Sequence, residues 1–135
     1  MAKRTQVLTP TNGINLTVYP KAGQVIKPGD ALVLDTTDAL GYGVKLAGAN
    51  EAPLFVAMIG NEIGEAKTKR NTISAKVVGK YNTVLSLPSD DSANIGDYVL
   101  PDGNGLYVKE TVAEAGTPKG FLVVYKDSKK VEVLF

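Results

Sequence analysis

At 135 residues, with 44% hydrophobic and 21% charged residues, the chain has the composition of one folded domain that buries roughly two-thirds of its unfolded surface. A net charge of +1 excludes the long-range positive field on which nucleic-acid binding normally depends. The chain has no His, no Cys and no Trp, which excludes Ser-His and Cys-His nucleophiles, disulfides and most transition-metal sites.

Residues 1–13 read as an extended N-terminal arm, because Lys, Arg, Thr, Gln and Pro dominate and little apolar surface is present to bury. Met1-Ala2-Lys3-Arg4 is basic, but Thr9-Pro10-Thr11-Asn12-Gly13 interrupts any apolar run, so no secretory leader is expected. No stretch approaches the ~20 apolar residues of a membrane span. Residues 14–135 are expected to form a single β domain. Ile14 to Tyr19 alternates apolar and polar residues, as a half-buried strand does. Lys27-Pro28-Gly29-Asp30 is a turn, followed by a short strand from Ala31 to Asp35 and a Thr, Asp and Gly loop from Thr36 to Tyr42. Gly43–Ala47 and Leu54–Ile59 are two more strands. Ile63 to Arg70 is polar and could hold a helical turn. Thr72–Val78 is a strand with Ile73, Ala75 and Val77 facing inward, and Val84–Leu87 precedes the loop at Ser89. Asp97–Leu100, Leu106–Lys109, Gly120–Lys126 and Val131–Phe135 complete the set. Only Glu110 to Ala115 has helix-like composition, and Gly116 would end it after a turn or two. Turn signals every ~8–12 residues predict an all-β fold, a compact sandwich or barrel of about ten short strands.

The chain writes one module twice. Ile26 to Leu34 recurs in outline as Asn94 to Leu100. Gly41-Tyr42-Gly43-Val44-Lys45 recurs as Gly105-Leu106-Tyr107-Val108-Lys109. Leu54 to Met58 recurs as Gly120 to Val124. Each copy reads as a Gly-Asp turn, an apolar strand, a Gly-containing strand and a second apolar strand. Gly29 and Gly96 are expected at positive φ, with Asp30 and Asp97 bonding nearby backbone amides.

Candidate chemistry is sparse. Asp90-Asp91 is an adjacent carboxylate pair, but adjacent residues on a strand point to opposite faces, and glycosidase work needs two carboxylates across a cleft. Asp35-Thr36-Thr37-Asp38 and Asp90-Asp91-Ser92 lack the spacing and closing Glu of a calcium loop. Gly103-Asn104-Gly105 reads as a hairpin turn, because no phosphate-loop helix follows. Lys67-Thr68-Lys69-Arg70 has only Tyr81 nearby to stack on a base, so it reads as a charged β-edge. No enzyme, cofactor, metal, nucleic-acid, membrane or small-molecule role is predicted. Val131-Glu132-Val133-Leu134-Phe135 alternates, and so apolar a strand is expected to be pinned in a sheet or an interface.

The Gly-Asp turns and their following strands, Val25 to Leu34, Leu54 to Gly60, Ile95 to Leu100 and Gly120 to Val124, resemble the small phage capsid decoration proteins, also called cement or head-stabilising proteins. The chain departs from that pattern in Phe55-Val56-Ala57-Met58 and Gly120-Phe121-Leu122-Val123, where the family more often has Val-Gly-Val-Ala. The resemblance implies a β-rich, non-enzymatic subunit, usually trimeric, made in the host cytoplasm. It would sit on the outside of the virion where major capsid proteins meet. Lys3, Arg4, Gln6 and Leu8 of the arm, with Phe135, are then the expected capsid or intersubunit contacts. The alternative reading is a β-sandwich module of a virion tail or secreted protein that binds carbohydrate or protein. Carbohydrate platforms are poorly supplied by six Tyr, three Phe and no Trp.

Overall fold

Alternation of apolar and polar residues becomes strand wherever a Gly, Pro or Asp turn can return the chain. A computed structural model describes residues 14–79, 84–111 and 116–135. The expected arm at 1–13 lies outside them. The described residues contain twelve strands and no helix. The first five long strands are β1 (Asn15–Pro20), β2 (Ala31–Leu34), β3 (Gly43–Leu46), β4 (Phe55–Ala57) and β7 (Ile73–Val77). They close into a barrel in the order β1-β3-β2-β4-β7. The last five are β8 (Val84–Pro88), β9 (Tyr98–Pro101), β10 (Tyr107–Lys109), β11 (Phe121–Lys126) and β12 (Lys130–Leu134). They form a sheet in the order β10-β9-β11-β12-β8.

The two orders are the same circuit. β1 pairs antiparallel with β7, placing Val18 opposite Ile73, as β8 pairs with β12, placing Leu87 opposite Val131. β2 pairs with β4 as β9 pairs with β11, so Leu32–Phe55 corresponds to Val99–Phe121. In the first barrel, β1 and β3 meet in parallel at Tyr19–Gly43 and Pro20–Val44. In the second, one parallel bridge, Ser89–Tyr107, draws the edges together at the position of Pro20–Val44. The molecule is therefore a tandem of one five-stranded barrel, closed in the first copy and closed by a single bridge in the second.

The match extends to the turns. Gly29 has φ 89° and Gly96 has φ 93°, a region where a side chain is strained. Asp30 Oδ2 accepts from Lys27 N at 2.8 Å and Asp97 Oδ2 from Asn94 N at 2.9 Å. Gly29 N donates to Ala57 O at 2.8 Å, and Gly96 N to Val123 O at 2.9 Å. Core positions agree as well: Val18, Leu32, Val44, Ala57, Ile73 and Ala75 fill the first barrel. Leu87, Val99, Tyr107, Val123, Val131 and Val133 stand at the same places in the second.

Two expectations change, and a third falls mostly outside the described residues. The recurrence of Gly41–Lys45 is shifted by one residue: Leu34 opposite Val44 corresponds to Pro101 opposite Tyr107. A one-residue slip in a strand swaps its faces, and both Val44 and Tyr107 are buried, which fixes the register. Ile63 to Arg70 holds no helical turn but a hairpin, β5 (Glu62–Ile63) and β6 (Thr68–Lys69). Its turn uses positive φ at Gly64 and Lys67, and the hairpin raises the strand number above ten. Of the helix-like run from Glu110, residues 112–115 lie outside the described residues. Glu110 itself is buried, its carboxylate accepting from Gly120 N at 2.8 Å and Lys119 N at 3.2 Å. That carboxylate ties down the loop by satisfying backbone donors.

The barrels pack through one shared apolar layer. Ala31, Val33, Ala47 and Val56 point away from the first barrel's interior and join the core of the second. The Tyr107 hydroxyl donates to Gly29 O at 2.9 Å. Asn50 N donates to Pro101 O at 2.9 Å, and Lys119 Nζ to Asn50 O at 3.0 Å.

Candidate functional site

Ionisable and polar side chains gather where the barrels meet. A cavity of about 290 Å³ lies at the junction, lined by Val25, Lys27, Asp30, Ala31, Pro101 and Tyr107 among others. Its two acidic groups are constrained. Burial pushes the Asp30 carboxyl up from its ordinary range, opposed by the Lys27 amide and the Lys27 charge. Burial also pushes the Tyr107 hydroxyl far up, so it stays protonated and committed to Gly29 O. A tethered hydroxyl and a single carboxylate provide no nucleophile–base pair. Among the described residues no group of three His, Cys, Asp or Glu could hold a metal.

The remaining polar candidates are turn-formers. Asp90 accepts from Ser92 N at 3.0 Å, while Asp91 pairs with Lys126 at 3.0 Å. The Ser92 hydroxyl and amide hold the Asp90 carboxyl below its ordinary value. The Thr37 hydroxyl and amide do the same for Asp35. Of the basic run, Lys69 pairs with Glu62 at 3.1 Å on the exposed hairpin.

The expected contact residues Lys3, Arg4, Gln6 and Leu8 lie outside the described residues. Phe135 is 1% exposed. Its ring sits edge-on to Phe121 at 5.2 Å, and Phe121 lies 6.0 Å from Tyr107. The contact expectation for Phe135 is corrected on this point: the side chain is used inside the second barrel and offers no surface of its own. Gly29, Asp30, Gly96 and Asp97 organise the two equivalent turns. Gly29 and Asp30 lie beside the inter-barrel junction, and Gly96 has open space around it.

What the structure presents instead is apolar surface at one end of the first barrel. Leu40 is 95% exposed and Tyr42 is 64% exposed, with Tyr19 and Leu34 also exposed. Strand pairing brings them together, since Tyr19 N donates to Tyr42 O at 2.9 Å and Asp35 N to Gly43 O at 2.8 Å. The loop carrying Leu40 is pinned from within. Asp35 Oδ1 accepts from Thr37 N at 3.1 Å, and Asp38 Oδ1 accepts from Leu40 N at 2.9 Å. Tyr42 has φ 60°, whereas the equivalent position in the second barrel is Gly105 at φ 95°. A bulky residue in this region is strained by an order of 1 kcal/mol or more. The sequence marks this tip only as two apolar residues, Leu40 and Tyr42, flanking Gly41 in a largely polar loop, which does not show whether they are covered.

Comparison with protein-family models, curated proteins and solved structures finds no match to this chain.

Proposed function

We propose that the protein is a non-enzymatic virion component. It binds the outer surface of an assembled phage capsid and stabilises it as a homo-oligomer, a trimer in the family it resembles. The observation that carries this reading is the exposed apolar tip of Tyr19, Leu34, Leu40 and Tyr42 on the first barrel. Such a tip suits contact with protein more than with a small molecule. A shell site composed of several capsid subunits exists only after assembly, and an oligomer multiplies weak contacts through effective concentration. With a net charge of +1, apolar contact outweighs steering, so binding should persist where salt screens surface charges.

Co-sedimentation with purified shells and with unassembled capsid subunits, at low and high salt, tests this. Binding to shells alone at both salts is expected, and no binding to shells in any condition overturns the reading. The second reading, a carbohydrate- or protein-binding module of a tail or secreted protein, draws support from Tyr19 and Tyr42, both exposed and joined by a backbone hydrogen bond. Saturable glycan binding abolished by Tyr42→Ala would favour it.

A further inference from the structure

We infer that the chain binds further copies of itself head to tail, by repeating between molecules the contact that joins its own two barrels. Inside the chain, one flank of the first barrel meets the seam of the second. The flank comprises Pro28, Ala31, Val33, Val56 and Met58, and the seam comprises Leu85, Leu87, Pro88, Pro101 and Tyr107. The Tyr107–Gly29 hydrogen bond crosses this contact, and Pro88 lies 3.5 Å from where a Gly29 Cβ would stand. Flank and seam occupy different places on the barrel. The contact is therefore heterologous, the type that propagates into a ring or a filament.

Because the fold is duplicated, each barrel owns both faces, and the chain consumes only one of each. The seam of the first barrel is left over. Its Tyr19, Leu34 and Tyr42 stand where the second barrel has Pro88, Pro101 and Gly105. Pro101 is buried and Pro88 half-buried, while all three first-barrel counterparts are exposed. The flank of the second barrel is left over too. Its Ile95, Leu122 and Val124 stand where the first has Pro28, Val56 and Met58. Val56 is buried beneath the second barrel, whereas Leu122 is half-buried and Ile95 is 66% exposed. The leftover faces thus carry apolar side chains that are exposed or half-buried, Tyr19, Leu34 and Tyr42 on the seam and Ile95, Leu122 and Val124 along the rim of the flank, whereas Leu100 and Glu110, at the places of Val33 and Ala47, are already buried within the chain. Tyr42 in place of Gly105 and Leu122 in place of Val56 are larger, so placement repeats while side-chain fit differs. The strained Tyr42, exposed at the seam, is a feature that barrel folding alone does not require. This inference deepens the oligomeric part of the proposed function but does not need a shell.

Native mass spectrometry and sedimentation of the full chain test it, with Leu40→Asp at the seam and Ile95→Asp on the flank. Both positions are exposed, so melting should be preserved. The wild type should show concentration-dependent multiples of 14.2 kDa, and each variant alone should be monomeric. An equimolar mixture should form a dimer, because one variant retains a sound flank and the other a sound seam. Tyr42→Gly should weaken association at least tenfold without loss of stability, which a purely structural Tyr42 would not do. A wild type monomeric at every concentration overturns the inference. So does assembly that survives either Asp substitution, or a mixture that stays monomeric. Since no capsid is present, these outcomes are separate from failure of shell binding.

Discussion

The two barrels share a circuit but fill it differently. The fully buried core of the first barrel is aliphatic, with the half-buried Phe55 packed against it, and Val44 and Ala57 stand where the second carries Tyr107 and Val123. The second concentrates Tyr107, Phe121 and Phe135 into one aromatic cluster and reaches through the Tyr107 hydroxyl to its neighbour. The first barrel closes its parallel seam with two paired positions, the second with one. A shared circuit therefore does not impose a shared core. The turns and register are held constant, while large side chains in the second barrel and the layer from the first make up for a looser seam.

The strongest test of that difference removes an aromatic. Phe135→Ala should destabilise by about 3–5 kcal/mol, whereas Val77→Ala at the equivalent half-buried position should cost about 1 kcal/mol, both read by chemical denaturation. Equal effects would show that the aromatic cluster does not carry the second barrel. A second contrast uses a close approach. A Cβ on Gly120 would stand 2.3 Å from Val99 O, so Gly120→Ala should cost about 1–3 kcal/mol. Leu54 holds the equivalent place and is exposed, so Leu54→Ala should change stability by no more than about 0.5 kcal/mol.

Tyr107→Phe leaves the ring and strips the bond to Gly29 O, at an expected cost of about 1–2 kcal/mol. A neutral result would mean that this hydrogen bond adds nothing to the apolar layer and the Asn50 contacts that join the barrels. The Gly-Asp turns should differ more subtly. Replacing Gly29 or Gly96 by Ala places a Cβ at positive φ, at about 1 kcal/mol each. Gly29→Ala should cost a few tenths less, because its Cβ gains an ordinary packing contact with Pro88 at 3.5 Å while that of Gly96 meets nothing. The smallest effect is on pH dependence. Burial raises the folded-state pKa of Asp30, so its contribution is fully present below about 3.8 and is lost as pH rises through the raised value. Asp30→Asn should therefore gain stability relative to wild type as pH climbs through the carboxylate range, measured by thermal melts at stepped pH.

Much of the architecture was legible because β signals are local. Alternation at Ile73 to Val77 and the Gly-Asp turns mark strands and returns without reference to distant contacts. The duplication was legible in outline, yet the register of β3 against β10 was not. Glycine landmarks at Gly41 and Gly105 suggest one alignment, and burial of Val44 and Tyr107 enforces another. The β5–β6 hairpin escaped because its two-residue strands are too short to alternate and bury no side chain fully. The apolar tip escaped for a related reason: whether Leu40 is covered depends on what packs over the loop, which no local pattern records.

The order of strand pairing also bears on synthesis. β1 completes its barrel only with β7, and β8 only with β12. The first barrel can thus close once Val77 has emerged, and the second follows roughly 3–11 s later at translation rates of ~5–20 residues per second. Throughout that interval Ala31, Val33, Ala47 and Val56 face solvent without their layer. The growing chain passes through a sticky half-finished state, and a slowed ribosome would lengthen its exposure to chaperones, proteases and wrong partners.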